Sequence, residues 1–148
     1  MIWVNFGIMF PEWFAESLRI ELVAVATGAF LAVIFLQSGL DKILDYKNNL
    51  DWLKGQFSKT IFKNSIGLLL PLLTLLETAG GLLCAAGVAV YFFNRPYGGV
   101  ILFLGHVFVL LALLSLMLGQ RVVKEYAGAA SLTGYIIIAL LGFLVVVN

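Results

Sequence analysis

The feature that most constrains the fold of this chain is a set of four long apolar runs. A helix needs about 20 mostly apolar residues to cross a bilayer, and four stretches meet this requirement: about 20–40, 65–91, 97–118 and 129–147. The runs are too long for the strands of a membrane barrel and lack strand-like alternation. Because a backbone amide inside lipid must bond within its own segment, the sequence predicts an all-α membrane protein with a four-transmembrane-helix bundle.

The composition also indicates that lipid surrounds much of the protein. The chain has 148 residues, of which 62% are hydrophobic and 11% charged, whereas soluble domains are about 45–50% apolar and about 25% charged. A water-soluble core cannot absorb this excess, so we expect a single membrane domain over residues 1–148 in contact with the lipid bilayer. The net charge of +1 and the absence of aromatic residues interleaved with basic ones give no indication of nucleic-acid binding.

Two segments beside the spans have the composition of membrane-surface structure. Aromatic residues crowd the N-terminus: Trp3, Phe6, Phe10, Trp13 and Phe14. Aromatic rings favour the headgroup zone, so we predict a short interfacial N-terminal segment. The first loop has apolar residues at helical spacing: Leu50, Leu53, Phe57 and Ile61. This spacing predicts an amphipathic helix on the membrane surface, although Gly55 weakens it and leaves an irregular connector as the alternative.

The charges of the loops predict an orientation. Loops 41–64 and 119–128 contain seven Lys and Arg residues, against two on the other side of the membrane, Arg19 and Arg95. The positive-inside rule places both of these loops in the cytoplasm and both termini in the periplasm. The first 18 residues lack the features of a cleavable signal peptide. We therefore expect the first span to act as its own insertion signal, in a bacterial inner membrane.

Glu77 is a carboxylate in the middle of the second apolar run. A charge at the bilayer centre costs about 2.5–3.5 kcal/mol on insertion scales, so such a residue usually faces protein. Thr74, Gly81 and Cys84 share its helical face, and small residues allow membrane helices to approach closely. We expect matching small residues in the neighbouring spans at Gly28, Ala32, Ala130 and Gly134.

A polar cluster around Glu77 is predicted from depth. His106 lies close to the centre of the third span and Tyr135 within a turn of the centre of the fourth. We therefore predict that Glu77, His106 and Tyr135 form an intramembrane cluster that binds a cofactor, with Thr74 as a further partner. Burial favours a neutral carboxyl and a protonated histidine favours the carboxylate, so the protonation state stays open. The alternative is a Glu–His hydrogen bond that only locks two helices together, for about 0.6 kcal/mol and at most about 2.

Other kinds of site have no support in the sequence. Cys84 is the single cysteine, which excludes an intramolecular disulfide, a CxxC redox pair and a cysteine-based metal site within one chain. The single histidine cannot supply both axial ligands of a haem within one chain, although a dimer could bring two copies together. There is no glycine-rich phosphate loop, HExxH motif or Ser/His/Asp arrangement. We predict no catalytic residue and no metal site, and interpret Cys84 as a packing residue.

Two short stretches resemble a known family. The stretch FLQSGLDKI at 35–43 is similar to the end of the first helix in DoxX-type membrane proteins, where an SG-x-x-K pattern is common. The stretch LETAGGLL at 76–83 resembles their second helix, in which an intramembrane Glu precedes a glycine pair. The layout of four helices is similar over nearly the whole chain, and the specific match covers about 20 positions. The family-like residues are Gly39, Lys42, Glu77, Gly80 and Gly81.

The resemblance implies an accessory role. DoxX-type proteins include the DoxD-type subunit associated with thiosulfate:quinone oxidoreductase and other accessory subunits of redox or thiol-stress assemblies. We therefore expect an integral membrane accessory subunit of a larger redox or quinone-linked complex, with other membrane subunits as partners. On this interpretation the chain is not catalytic on its own and holds no intrinsic cofactor.

Two other functions are compatible with the sequence. In the first, Glu77, His106 and Tyr135 line a quinone or lipid pocket, where they donate hydrogen bonds and carry a proton. In the second, the chain forms a small transporter as an oligomer. The lack of a second intramembrane carboxylate makes the transporter the least favoured of the three functions.

Overall fold

The computed structural model describes residues 12–147 of the chain, and these residues form helices joined by turns. The helices are α1 (Glu12–Leu44), α2 (Tyr46–Gln56), α3 (Ile66–Tyr91), α4 (Arg95–Val122) and α5 (Tyr126–Val147). The predicted all-α fold is confirmed. The predicted interfacial N-terminal segment lies outside the described residues.

Four of the helices are long and apolar enough to cross a membrane: Ser17–Leu44, Ile66–Tyr91, Arg95–Val122 and Tyr126–Val146. Their outer faces carry large apolar side chains such as Val33, Leu75 and Leu114, which are 67%, 62% and 57% exposed. An exposed surface of this kind is stable in lipid and not in water. The length of the helices and the apolar surface together identify an integral membrane protein.

The four spans occupy the corners of a bundle. Helix α3 packs between α1 and α4, and α5 packs between α4 and α1. Helices α3 and α5 therefore lie at opposite corners and their backbones do not approach each other closely, whereas α1 and α4 meet across the centre. Buried residues from all four spans form the core, among them Leu31, Cys84, Val109 and Ala139.

Short turns connect α3 to α4 and α4 to α5. Asn94 begins α4 with an extended backbone, and its side-chain oxygen accepts a hydrogen bond from the amide of Tyr97 at 3.3 Å. At the other end of α4, Lys124 has a φ of 63°, and the Glu125 amide donates to the Gln120 carbonyl at 2.8 Å. This is the hydrogen bond of a Schellman cap. Both hairpins are tight, so the turns fix which residues of neighbouring spans lie at the same level.

The small residues of α1 pack as predicted, and those of α5 do not. Gly28 and Ala32 are buried. Ala130 and Gly134 are exposed, and a Cβ added to Gly134 would meet nothing within 4 Å, so their predicted packing role is wrong. Helix α5 packs through Ala129, Ala139 and Gly142 instead. Apolar and small residues surround α5 on every side, so its sequence pattern did not identify the packed face.

The first loop contains the predicted helix, but the helix ends early. Helix α2 includes Gly55 and stops at Gln56. Phe57 is buried with 8% exposure, whereas Ile61 is 86% exposed. The pattern therefore fails at Ile61, because turns replace the helix beyond Gln56: the Ser58 amide donates to Gly55, and the Thr60 amide to Phe57.

Candidate functional site

The buried carboxylate of Glu77 pairs with Lys42. Glu77 is fully buried on α3, and its side chain meets the end of α1. The Lys42 Nζ atom lies 2.9 Å from Glu77 Oε2 and donates a hydrogen bond to Oε1 at 3.2 Å. The Lys42 side chain is itself only 18% exposed. The Glu77 side chain, which is predicted to face protein, therefore meets a lysine from the neighbouring helix.

Ser38 completes this arrangement. Its hydroxyl donates to Glu77 Oε1 at 3.2 Å and accepts a hydrogen bond from Lys42 Nζ at 2.9 Å. Ser38 and Lys42 are four residues apart on α1, which places them on one face of the helix. We name Ser38, Lys42 and Glu77 the ion-pair cluster. Each of its members contacts the other two, so the cluster joins α1 to α3 at one point.

Glycines let the two helices approach closely beside the ion-pair cluster. A Cβ on Gly81 would lie 2.7 Å from the backbone nitrogen of Leu36, and a Cβ on Gly39 would overlap the side chain of Thr78. Larger residues at either position would force α1 and α3 apart. Gly80 faces the other neighbour, where a Cβ would lie 3.1 Å from the backbone nitrogen of Val109 on α4. The family-like residues thus occupy the contacts that α3 makes with α1 and α4.

His106 lies at a different contact. It is fully buried on α4, and its Nδ1 atom is 2.7 Å from the Leu102 carbonyl one turn earlier. Since a carbonyl only accepts, Nδ1 carries a proton, and in the neutral imidazole Nε2 then holds the lone pair. Nε2 is buried and has no hydrogen-bond partner among residues 17–146.

Residues from α1 and α5 surround the free nitrogen. A Cβ on Gly142 would overlap both His106 Nε2 and Thr27 Oγ1. The Thr27 hydroxyl donates to the carbonyl of Val23 in its own helix at 2.7 Å. We name His106, Thr27 and Gly142 the histidine site. At this site close packing brings α4 against α1 and α5. One polar atom, His106 Nε2, has no hydrogen bond.

The register between α3 and α4 explains why Glu77 and His106 lie apart. A Cβ on Gly80 would touch Val109 and one on Gly87 would touch Leu102, so the register of this antiparallel pair places Glu77 level with Ala112. His106 lies six residues from Ala112, or about 9 Å along α4 at 1.5 Å per residue. The His106 ring also points away, toward the level of Leu102.

Tyr135 and Thr74 also lie outside the ion-pair cluster. Tyr135 is on α5, at the corner opposite α3, and its ring stacks on Phe30 with 6.2 Å between centroids. The Thr74 hydroxyl donates within its own helix to the Leu70 carbonyl at 2.8 Å. No hydrogen bond joins Glu77, His106 and Tyr135 in the part of the chain that the structure describes. Their predicted cofactor-binding role stays a prediction.

Among the open spaces on the described surface, two lie toward opposite ends of the bundle. One has a volume of about 380 Å³ and is lined by residues of α1, α3, α4 and α5, including Ala24, Arg95 and Phe103. The other, which we name the α2 groove, has a volume of about 430 Å³ and lies between α2 and the spans α3 and α4. Neither space is lined by Lys42, Glu77 or His106.

The side chains of residues 17–146 form no cluster of metal ligands. No group of three or more His, Cys, Asp and Glu side chains in this range is placed to hold a metal ion. Cys84 is a fully buried free thiol within the hydrophobic core. A Cβ on Gly105 of α4 would lie 2.7 Å from its sulfur, so the cysteine fills the α3–α4 contact.

The sequence interpretation did not assign Ser38 and Lys42 to a site with Glu77. Ser38 lies at the end of the first apolar run, and Lys42 follows that run and is therefore included in loop 41–64. Two signals point to the cluster: the four-residue spacing of Ser38 and Lys42, and an intramembrane carboxylate that needs a cation. A lysine near the end of a span is long enough to reach back toward the centre of the bundle.

Comparisons of the chain with protein-family models, with curated proteins and with solved structures find no match. The family of the chain is therefore not identified by these comparisons. The likeness to DoxX-type proteins stays a resemblance carried by the residues around Lys42 and Glu77.

Proposed function

We propose that the protein is a non-catalytic accessory subunit of a larger, redox- or quinone-linked membrane complex. One observation carries the non-catalytic part. Glu77, the intramembrane carboxylate, forms an ion pair with Lys42, accepts hydrogen bonds from Lys42 and Ser38 through Oε1 at a helix contact, and lines neither of these two open spaces. A carboxylate held in this way is placed to hold α1 against α3 and not to meet a ligand in either of these two spaces.

The redox or quinone link is supported by the resemblance alone. The SG-x-x-K stretch of α1 and the Glu-containing stretch of α3 resemble DoxX-type accessory subunits, and the same residues meet at the α1–α3 contact. An accessory subunit of this type needs few groups outside the membrane. Its partners would contact the apolar outer faces of the spans or the loops.

A bacterial inner membrane location, with loops 41–64 and 119–128 in the cytoplasm, belongs to this proposal. The pairing of Lys42 with Glu77 removes one cation from the loop count and leaves six on the loop side against two on the other. The excess of Lys and Arg therefore stays on the side of these two loops.

Co-purification tests the proposal. The tagged chain is expressed at native level, extracted in mild detergent and examined by mass spectrometry, with an untagged strain as the control. We expect stoichiometric membrane companions that include a subunit with a haem, flavin or iron–sulfur motif. Recovery of a stable monomer without companions would contradict the accessory role.

A second candidate is a quinone-binding subunit, and the unpartnered Nε2 of His106 favours it because a lone pair can accept a hydrogen bond from a quinol hydroxyl. Two substitutions in the intact complex separate the candidates: His106→Leu and Glu77→Gln. If the chain binds quinone, we expect His106→Leu to reduce quinone-linked turnover at least about tenfold while the companions are retained. If the role is accessory, turnover per assembled complex stays within about twofold for both variants.

A further inference from the structure

We propose that the α2 groove is a binding site for an anionic phospholipid, with one acyl chain in the groove and the phosphate at its lysine-rich rim. This site lies apart from the ion-pair cluster and the histidine site, and the proposal goes beyond an accessory role. It assigns a lipid partner to a surface that includes Leu53 and Phe57 of the amphipathic first loop and none of the buried polar groups described above.

The lining of the groove is apolar. Leu69 and Leu73 of α3, Leu116 of α4 and the rings of Phe57 and Phe62 form much of its wall. The two rings pack edge to face with 6.4 Å between centroids, which brings the two ends of the segment after α2 together. The volume of about 430 Å³ lies within the range of about 300–1,000 Å³ that is usual for small-molecule sites. A flexible hydrocarbon chain suits such a wall.

The position of the groove suits an amphiphile. Helix α2 follows the end of α1 after a single residue, Asp45, and α3 begins at Ile66, so the groove lies where the chain leaves the apolar spans. Trp52 lines the groove and is 63% exposed. A ligand bound here has one end against the apolar spans and the other at the membrane surface, where tryptophan is favoured.

The rim of the groove is basic. Three exposed lysines of the first loop each lie one or two residues from a lining residue: Lys54, Lys59 and Lys63. None of the three forms an ion pair with any described residue. Across the groove, Arg121 and Lys124 lie next to the lining residues Gln120 and Val123. Five cations therefore lie within two residues of the lining, Arg121 among them over the Tyr126 ring at 5.0 Å, against the acidic residues Asp51 and Glu125.

The basic residues beside the α2 groove indicate which kind of ligand it binds. A quinone has a neutral head and a zwitterionic lipid has no net charge, so neither benefits from an excess of unpaired lysines. The phosphate of an anionic phospholipid does, because basic residues at a membrane surface attract anionic headgroups. The combination of an apolar wall and a basic rim therefore points to an anionic phospholipid.

Quenching of Trp52 fluorescence tests the proposal directly. The other two tryptophans are replaced in a Trp3→Phe/Trp13→Phe background, and the purified full chain in detergent is titrated with brominated phosphatidylglycerol or brominated phosphatidylcholine. We expect phosphatidylglycerol to quench at lower concentration. Lys59→Gln/Lys63→Gln should weaken its binding by about fivefold for each lysine and leave phosphatidylcholine unchanged. Lys47→Gln removes the same charge from the same loop away from the lining and should change neither titration.

A variant that fills the α2 groove tests whether the acyl chain binds there. A Cβ on Gly119 would lie 3.4 Å from the Phe57 ring, so Gly119→Leu places its side chain in the groove. We expect this variant to lose selective quenching by phosphatidylglycerol. Gly134→Leu is the matched control, because a Cβ at Gly134 meets nothing within 4 Å. If Gly119→Leu does not fold, the lysine variants decide.

Two results of the quenching experiment would overturn the proposal. One is equal quenching by both lipids in the parent protein. The other is selective quenching that survives removal of Lys59 and Lys63. A quinone or a second copy of the chain that occupies the groove in native mass spectra, and that phosphatidylglycerol does not displace, would likewise assign the groove to another occupant.

Discussion

The ion-pair cluster and the histidine site solve the same problem in different ways. Both place a fully buried polar side chain between membrane-spanning helices, and both depend on a glycine that lets the helices approach. Glu77 takes its partners from another helix, with Lys42 and Ser38 on α1. His106 takes its partner from its own backbone and leaves Nε2 without a hydrogen bond.

The difference follows from charge. A carboxylate buried without a counter-charge is so unfavourable that breaking such a pair costs about 3–5 kcal/mol, whereas an unsatisfied neutral nitrogen costs about 1–3 kcal/mol. A charged group therefore requires a matched partner across a helix contact, and a neutral imidazole does not. We expect charge to control stability at the ion-pair cluster and available space to control it at the histidine site.

The largest effect is expected for Lys42→Met, which leaves the Glu77 carboxylate buried without its cation. We expect the free energy of unfolding, measured by denaturation in bicelles, to fall by about 3 kcal/mol. Lys47→Met is the control, since Lys47 is exposed and has no ion pair with any described residue, and it should change stability by less than about 0.5 kcal/mol. A similar small change for Lys42→Met would remove the distinction between the two sites.

An intermediate effect is expected for Gly142→Ala at the histidine site. The new methyl group would overlap His106 Nε2 and Thr27 Oγ1, and we expect this overpacking to cost about 2 kcal/mol. Gly134→Ala adds the same methyl group to α5 where it meets nothing within 4 Å. Because alanine is the better helix former, the control should be neutral or stabilising by up to about 1 kcal/mol. Equal melting temperatures for the two variants would contradict the packing of this site.

The smallest effect is expected for His106→Leu. The substitution removes the hydrogen bond to the Leu102 carbonyl, but it also removes the unsatisfied Nε2. The two contributions partly cancel, so we expect a loss of less than about 1.5 kcal/mol in the same bicelle assay. A loss as large as that of Lys42→Met would mean that Nε2 has a strong partner in the membrane, and would turn attention to a bound ligand.

The sequence predicts the fold well because apolar length is a direct signal. The expected spans at about 65–91, 97–118 and 129–147 correspond to α3, α4 and α5 within a few residues. The helices α1 and α4 extend past their apolar runs, since a helix continues through the headgroup region where charged residues are solvated. The position of the packed face on α5 was not predictable, because that helix has no polar side to orient it.

The site was harder to predict because the position of a residue along its own apolar run does not fix its level relative to residues of the other helices. That level depends on the register between the helices. Glu77 and His106 each lie near the middle of an apolar run, but the tight turn at 92–94 fixes the register and places Glu77 level with Ala112. Lys42 lies past its apolar run, so its residue type and position predict a loop cation. Only the approach of α1 to α3 shows that the side chain points back into the bundle.

The most direct test of the central claim, that Glu77 and Lys42 stabilise the bundle as a pair, is a double-mutant cycle with Lys42→Met, Glu77→Leu and both together. We expect Glu77→Leu alone to cost less than Lys42→Met, because the partly exposed lysine can turn toward the membrane surface. The double variant should be more stable than the sum of the singles predicts, with a coupling of about 2 kcal/mol. Effects that add to within about 0.5 kcal/mol would contradict the pairing.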